Sequence, residues 1–286
     1  MNNLVLHPLT SQQLDGYTAE PTQVVILAGS AGSGKLSMAH QLAETILQLP
    51  AGKLIDYPYS LIVSLPADKK QIAIEAVREL AQFLTLKVPL AMTYNRAVII
   101  HDAHLLSIEA QNALLKTLEE PPAGTILILT VDYEQALLPT IRSRAQTITI
   151  KRPLAADLKS YFIEQNYDKE LINRAYTISG GLPGLMSALL NEAAHPLLLA
   201  TEKARLLLSQ TSYQRLLAVD ELAKQAAFLR DMLFILQQMS HVSLQTATGA
   251  VAQKWQQVMA SSYQAAEDLN NSAQAKLVLT NLMLSL

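Results

Sequence analysis

The sequence contains no cysteine among its 286 residues, which excludes disulfide bonds and every metal site built on thiolates. Aromatic residues make up only 5% of the chain and charged residues only 16%, whereas half of the residues are hydrophobic. No uninterrupted apolar run is long enough to span a membrane. The start of the chain, MNNLVLHPLT, lacks the basic and apolar regions of a secretory signal peptide. We therefore expect a globular, cytoplasmic protein with no membrane partner.

The formal net charge is −2, so a large basic surface is also missing. A free-standing nucleic-acid binder usually carries such a surface, because phosphate contacts need clustered lysine and arginine. This composition disfavours that class of protein and leaves weak or shared nucleic-acid contacts open. The length is sufficient for more than one domain.

Residues 97–150 give the clearest structural signal. Three short apolar runs, Ala97–Ile100, Thr125–Thr130 and Thr147–Ile150, are predicted to be buried strands. Between the first two we predict a helix that begins after Ser107, a plausible N-cap, and ends before Pro121. Strands that alternate with helices predict crossover connections and a parallel sheet.

The same alternation is found earlier in the chain. Val24–Ala28 is predicted to be a central strand, followed by a helix over about Lys35–Leu49. Leu61–Leu65 is predicted to be another strand. Apolar residues at helical spacing, with Ile72 among them, predict an amphipathic helix over Asp68–Leu86.

A glycine-rich segment, GSAGSGKLS, separates the first strand from its helix. Gly29, Gly32, Gly34 and Lys35 match the phosphate-binding pattern G-x-x-x-x-G-K. Glycines allow backbone N–H groups to surround a phosphate, and the helix directs its positive end toward the same place. A glycine-rich turn without a ligand remains the alternative interpretation.

The residue after the lysine departs from this pattern. Magnesium-dependent loops carry serine or threonine there, whereas this chain has Leu36, which offers no oxygen. Ser37 lies one position further along the helix, rotated by about 100°, and is not expected to face the same ion. His101 and His104 are three residues apart, but without further ligands nearby they are better explained as polar residues at a strand end.

Arg142 and Arg144 precede the last predicted strand. They are either surface charges on a solvated loop or an anion contact, because a guanidinium pairs well with phosphate oxygens. If the segment is extended, the two side chains point in different directions.

Two runs, Asn112–Pro122 and Leu138–Arg144, closely resemble the clamp-loader subunits of bacterial DNA polymerase III, which belong to the AAA+ superfamily. The resemblance covers most of residues 20–190. It implies an α/β fold with an AAA+ P-loop domain and a parallel sheet in residues 1–152. A helical lid domain (153–196) and a C-terminal helical collar domain (197–286) would follow.

The resemblance also implies roles for individual residues. Arg144 stands where the relatives carry an arginine finger that acts in trans, although Ala145 replaces their cysteine. ATP-hydrolysing relatives end the third strand with Asp-Glu, whereas this chain has His101 and Asp102. They also carry a sensor arginine where this chain has Leu182-Pro183-Gly184. These departures favour the non-hydrolysing delta-prime type over an independent ATPase.

Cofactors and partners follow from the same resemblance. The zinc module of many relatives is absent, since the corresponding segment Pro50–Ser60 is short and lacks cysteine. We expect no zinc and at most weak ATP and magnesium binding. The residues expected to contact a nucleotide are Gly29, Gly32, Gly34, Lys35, Ser37 and Asp102. Expected partners are the other subunits of a hetero-oligomeric ring, a sliding clamp and, through the complex, primer-template DNA.

Two alternatives remain open. One is an ATP-hydrolysing subunit of the same loader, of the gamma/tau type, which would use Lys35, Ser37 and Asp102. The other is a stand-alone P-loop kinase or transferase, which is disfavoured because no acceptor site is evident.

Overall fold

A computed structural model of the chain describes residues 4–66, 69, 71–89, 92–191, 196–270 and 273–286. The chain divides into two compact units, Met1–Leu154 and Ala155–Leu286. The first unit contains a mixed arrangement of strands and helices, and the second is built from helices. The predicted α/β fold with a parallel sheet, followed by helices, is confirmed.

The first unit is organised around one five-stranded sheet. Its strands are β1 (Val24–Ala28), β2 (Ser60–Val63), β3 (Arg96–Ile100), β4 (Thr125–Val131) and β5 (Gln146–Thr149). The strand order is β2-β3-β4-β1-β5, and every neighbouring pair is parallel. The helices are α1 (Pro8–Ala19), α2 (Lys35–Ile46), α3 (Ile74–Leu84), α4 (Ile108–Glu119) and the short α5 (Pro139–Arg142).

Both faces of the sheet are covered by apolar residues. Every residue of β1, β3 and β4 is buried, as expected for parallel strands with a helical layer on each side. Successive side chains point to opposite faces, so Ile26 belongs to the cluster that includes residues of α3 and α4, while Leu27 packs with residues of α1 and α2. The sheet therefore holds its loops on a rigid, two-sided core.

The strand predictions are confirmed, with small shifts at the ends. Val24–Ala28 has the predicted bounds, and the other four strands differ from the prediction by one or two residues at an end. The helix of residues 108–119 is also confirmed. The Ser107 hydroxyl accepts a hydrogen bond from the backbone N–H of Ala110, as an N-cap does, and the helix stops before Pro121.

The helix predicted over Asp68–Leu86 is wrong in its first part. Asp68 lies outside the described residues, and the observed helix begins only at Ile74. Ile72 instead forms an isolated parallel bridge with Leu106. Its N–H donates to the carbonyl of Leu105 and its carbonyl accepts from the N–H of Ser107, which fixes an extended backbone that a helix cannot share.

The second unit contains only helices among its described residues. They are α6 (Ala155–Glu164), α7 (Lys169–Ser179), α8 (Pro183–Asn191), α9 (Pro196–Ser209), α10 (Ser212–Leu217), α11 (Val219–Leu222), α12 (Ala226–Leu244), α13 (Gly249–Asn270) and α14 (Ala275–Ser285). Gly180 adopts a left-handed conformation that ends α7. Within the part of the chain that the structure describes, no helix is both long and apolar enough to cross a membrane.

Candidate functional site

The glycine-rich segment lies between the end of β1 and the start of α2, as the sequence predicts. Gly32 and Gly34 have positive φ angles of 77° and 84°, a region that side chains disfavour. Gly29 is required for a different reason. A Cβ atom on Gly29 would lie 2.8 Å from the Cβ atom of Ile150, the residue after β5, so any larger residue would force the backbone to shift. The loop thus has the backbone shape of a phosphate cradle.

Lys35, the first residue of α2, is 5% exposed and folds back over this loop. Its ammonium group donates to the carboxylate of Asp132 at 2.7 Å. It also donates to the carbonyl oxygens of Gly29 at 2.8 Å and Ser30 at 3.3 Å. An ammonium has three N–H donors, and here each has an acceptor within the protein.

The two residues after Lys35 face different surroundings. Leu36 is half-buried and packs against the apolar cluster on the α2 side of the sheet. Ser37 is exposed. Leucine therefore stands next to the lysine with no oxygen to offer a metal ion, which fits the expected departure from magnesium-dependent loops.

Asp102 follows β3 in a left-handed conformation, with φ of 52°. Its backbone N–H donates to the hydroxyl of Thr130 at 2.9 Å, and Nδ1 of His101 lies 3.0 Å from the same oxygen. One carboxylate oxygen of Asp102 is 3.4 Å from Nε2 of His101. A buried threonine of β4 therefore organises the end of β3, where hydrolysing relatives carry their acidic pair.

His104 does not form a pair with His101. Its Nε2 atom lies 3.6 Å from Asp132, and one ligand atom each from Asp102, His104 and Asp132 fall within 4.8 Å of one another. Two carboxylates and an imidazole are donors that suit several divalent metals. Asp132 is already neutralised by the ammonium of Lys35, however, so the cation position beside it is filled by the protein itself.

Asp132 was not identified from the sequence. It directly follows β4, and β4 pairs with β1 in a register that places Val131 beside Ala28. The carboxyl ends of parallel neighbours meet at one edge of a sheet, so an acidic residue after β4 lies beside the loop after β1. This rule, applied to the sequence, would have found it.

Burial lowers the pKa of His40, a half-buried residue on α2. The positive charge that His101 can carry lowers this pKa further, and the nearby carboxylate of Glu44 opposes the shift. Close to the phosphate loop, the protein thus favours a neutral imidazole.

Arg142 and Arg144 lie in a helical turn rather than in an extended segment, so the predicted reason for their different directions is wrong. Arg142 ends the short α5 and is half-buried. Arg144 donates to Glu119 at 2.7 Å and to the carbonyl of Thr140 at 2.9 Å. Its side chain is 35% exposed. The two arginines therefore differ in burial, since Arg142 is more buried than Arg144.

Lys35 and Arg144 lie at opposite ends of the parallel strands. The loop of Lys35 follows the carboxyl end of β1, whereas Arg144 comes just before the amino end of β5, a parallel neighbour of β1. The four residues of β5 place these two ends about 13 Å apart, at roughly 3.3 Å per residue. While the sheet is intact, the guanidinium of Arg144 is therefore too far away to contact a phosphate held in the loop of its own chain.

Comparison with known proteins relates the chain to subunits of DNA polymerase III. The family model described as "DNA polymerase III, delta subunit" matches residues 10–153. The chain is 29% identical over 184 residues to DNA polymerase III subunit delta' of Pseudomonas aeruginosa, covering 59% of this chain and 56% of that protein. It is 34% identical over 122 residues to the Escherichia coli subunit of the same name, covering 42% of this chain and 36% of that protein. The match therefore spans about half or less of these relatives.

A solved structure shares the fold over nearly the whole chain. It is a DNA polymerase III gamma subunit-related protein from Thermotoga maritima, 20% identical, with a TM-score of 0.55. The alignment covers 95% of this chain and 97% of that one.

Proposed function

Because the chain belongs to the DNA polymerase III delta subunit family, we propose that it is a clamp-loader subunit of the delta-prime type. In this role it assists the ATP-dependent loading of a sliding clamp onto primed DNA without hydrolysing ATP itself. Its partners are the other subunits of a hetero-oligomeric ring, the sliding clamp and, through the complex, primer-template DNA. Its place of action is the cytoplasm.

The observation that carries the proposal is the placement of Lys35 and Arg144 at opposite ends of the parallel strands. A guanidinium that cannot reach its own phosphate loop can still reach one on a neighbouring subunit. Arg144 is the more exposed of the two arginines in this turn and already binds a carboxylate, so its surroundings accommodate a bound anion.

The chemistry of Arg144 would be electrostatic. During phosphoryl transfer, negative charge spreads over the oxygens of the γ-phosphate of ATP, and a guanidinium held near them lowers the barrier. In other NTPases such an arginine finger accelerates the reaction on the order of 10³-fold or more. Nothing in this role requires the chain to bind a nucleotide of its own.

The geometry of the chain's own loop supports weak nucleotide binding and no hydrolysis. Gly29, Gly32, Gly34 and Lys35 form the cradle, but Leu36 replaces the magnesium-binding hydroxyl. Ser37 is exposed, and the carboxylate of Asp102 lies 3.4 Å from Nε2 of His101. These residues fit a phosphate better than they fit Mg²⁺, which prefers oxygen ligands.

We also propose that the helical part of the chain after the sheet has two functional parts, a lid over residues 153–196 and a collar over residues 197–286. Limited proteolysis of the full chain tests this organisation. Stable fragments ending near residues 150–156 and 190–200 are expected, and a single resistant core running through both regions would contradict it.

The decisive experiment for the function is reconstitution with the other loader subunits, clamp and primed DNA. Arg144→Ala is expected to leave assembly intact and to lower steady-state ATP hydrolysis by the complex at least tenfold at the affected interface. Arg144→Lys should restore little, because an ammonium lacks the bidentate geometry. Arg142→Ala is the matched control and should have a smaller effect. Equal rates for Arg144→Ala and the unmodified complex would exclude the role in trans.

A second candidate function is an ATP-hydrolysing subunit of the gamma/tau type. The intact glycines and Lys35 favour it. Magnesium-dependent hydrolysis by the isolated chain that is abolished by Lys35→Ala would establish this alternative.

A further inference from the structure

Lys35 has no donor left for an incoming phosphate. Its three N–H groups are directed to Asp132, Gly29 and Ser30, and the side chain is 5% exposed. Such a lysine usually reaches the β- and γ-phosphates of a nucleotide. In this structure its principal partner is a carboxylate of the same chain at 2.7 Å.

The sheet fixes Asp132 in this position. The backbone N–H of Gly29 donates to the carbonyl of Val131 at 3.0 Å, which joins the phosphate loop to the residue before Asp132. The second carboxylate oxygen of Asp132 lies 3.6 Å from Nε2 of His104. Because every residue of β1 pairs with β4, up to Val131, the backbone of Asp132 is held beside the phosphate loop.

We propose that Asp132 is a specificity-determining residue that disfavours nucleoside triphosphates by occupying Lys35 in place of a phosphate. This inference rests on the proposed function, in which the chain binds nucleotide weakly. A triphosphate must displace the carboxylate from the ammonium and then remain close to the released negative charge. Both requirements weaken binding. The released carboxylate repels the negatively charged triphosphate, and it is less stable in a partly buried place without its ammonium partner.

The contribution of Asp132 is separable from that of Leu36. The missing hydroxyl at position 36 affects the metal ion, so it weakens binding only when Mg²⁺ accompanies the nucleotide. The carboxylate of Asp132 acts on the phosphate–lysine contact itself. Its effect therefore persists for ATP in the presence of EDTA, where Leu36 has no metal to misplace.

The test is calorimetric titration of the full chain with ATP in EDTA and in Mg²⁺. Asp132→Asn removes the charge at nearly constant size and is expected to raise the affinity for ATP in EDTA at least tenfold. Glu134→Gln is the matched control, because it removes one charge two residues away from a side chain that is not among the hydrogen-bond partners of Lys35 in the described structure. It should change the affinity less than twofold. Adding Lys35→Ala to Asp132→Asn should abolish the gain.

The outcomes separate this inference from the proposed function. An unmodified chain that binds ATP tightly and hydrolyses it with Mg²⁺ would overturn the proposed function. Weak binding by both the unmodified chain and Asp132→Asn would overturn the role of Asp132 alone, as would a gain that survives Lys35→Ala. Thermal unfolding checks that each variant is folded, and Asp132→Ser replaces the asparagine variant if that one is not.

Discussion

Glu119, the last residue of α4, accepts a hydrogen bond from Nη2 of Arg144 at 2.7 Å. The two side chains are 48% and 35% exposed, so water screens the pair. Exposed ion pairs contribute little to stability. The contact therefore orients the arginine at small energetic cost and leaves it available for an external anion.

A double-mutant cycle measures how little the fold depends on this pair. Glu119→Gln and Arg144→Ala should each change the free energy of unfolding by less than about 1 kcal/mol, with a coupling energy of about 0.2–1 kcal/mol. Urea unfolding of the two single variants and the double variant provides the measurement. A coupling of several kcal/mol would show that Arg144 is a structural residue.

Arg96 is an arginine on which the fold does depend. It is 3% exposed, donates to the carbonyls of Leu84 and Leu86 at the end of α3, and lies over the ring of Phe83 at 5.5 Å. Arg96→Leu leaves these carbonyls without their donor and should lower the free energy of unfolding by about 2–4 kcal/mol. Arg230→Leu, an exposed arginine on α12, is the control and should change it by less than about 0.5 kcal/mol. Similar effects for the two variants would refute the capping role of Arg96.

The lowered pKa of His40 predicts a loss of stability in acid. The unfolded chain, with a pKa near 6.5, binds a proton more readily than the folded one. Stability from this group is therefore fully present above pH 6.5 and declines as the pH falls toward the lower pKa of the folded state. Relative to the unmodified protein, His40→Gln should gain stability as the pH is lowered through this window.

Unfolding of both proteins from pH 8 to pH 5 tests this dependence. Glu44 and His101, the two groups whose charges act on His40, are present in both proteins, so their own contributions largely cancel in the difference. A difference that stays constant across the range would mean that burial does not disfavour the charged imidazole.

Gly29 and Gly16 form a matched pair for testing packing. Gly29→Ala places a Cβ atom 2.8 Å from that of Ile150 and should cost about 1–3 kcal/mol of stability, even without any ligand. Gly16 lies in α1 with no atom within 4 Å of its Cβ position, so Gly16→Ala should stabilise the protein by about 0.5–1 kcal/mol. Denaturation of the nucleotide-free chain distinguishes the two, and equal effects would contradict the close contact.

The parts of the fold that local sequence signals determine were predictable. Val24–Ala28 is uniformly apolar between polar flanks, and Ser107 and Pro121 mark the two ends of α4. Ile72 fitted a helical pattern equally well, but its backbone pairs with residues more than thirty positions away. Periodicity within a window cannot register such a pairing, so the helix was predicted to start too early.

In the candidate site, too, contiguous signals were predictable and contacts between distant residues were not. Lys35 and its glycines were identified because the motif is contiguous. Asp132 was missed because it is 97 residues from Lys35, and only the order of the strands brings the two together. Arg96 was overlooked for a related reason, since its acceptors are the backbone carbonyls of Leu84, the last residue of α3, and Leu86, which carry no side-chain signature.

The close fit of Gly29 against Ile150 has a consequence for how glycine loops are recognised. Packing alone demands glycine at this position, whether or not a nucleotide ever enters the loop. A motif search that scores glycines would therefore count such a loop as a nucleotide site long after its chemistry had been lost. The informative positions are the ones that packing leaves free, beginning with the residue that follows the lysine.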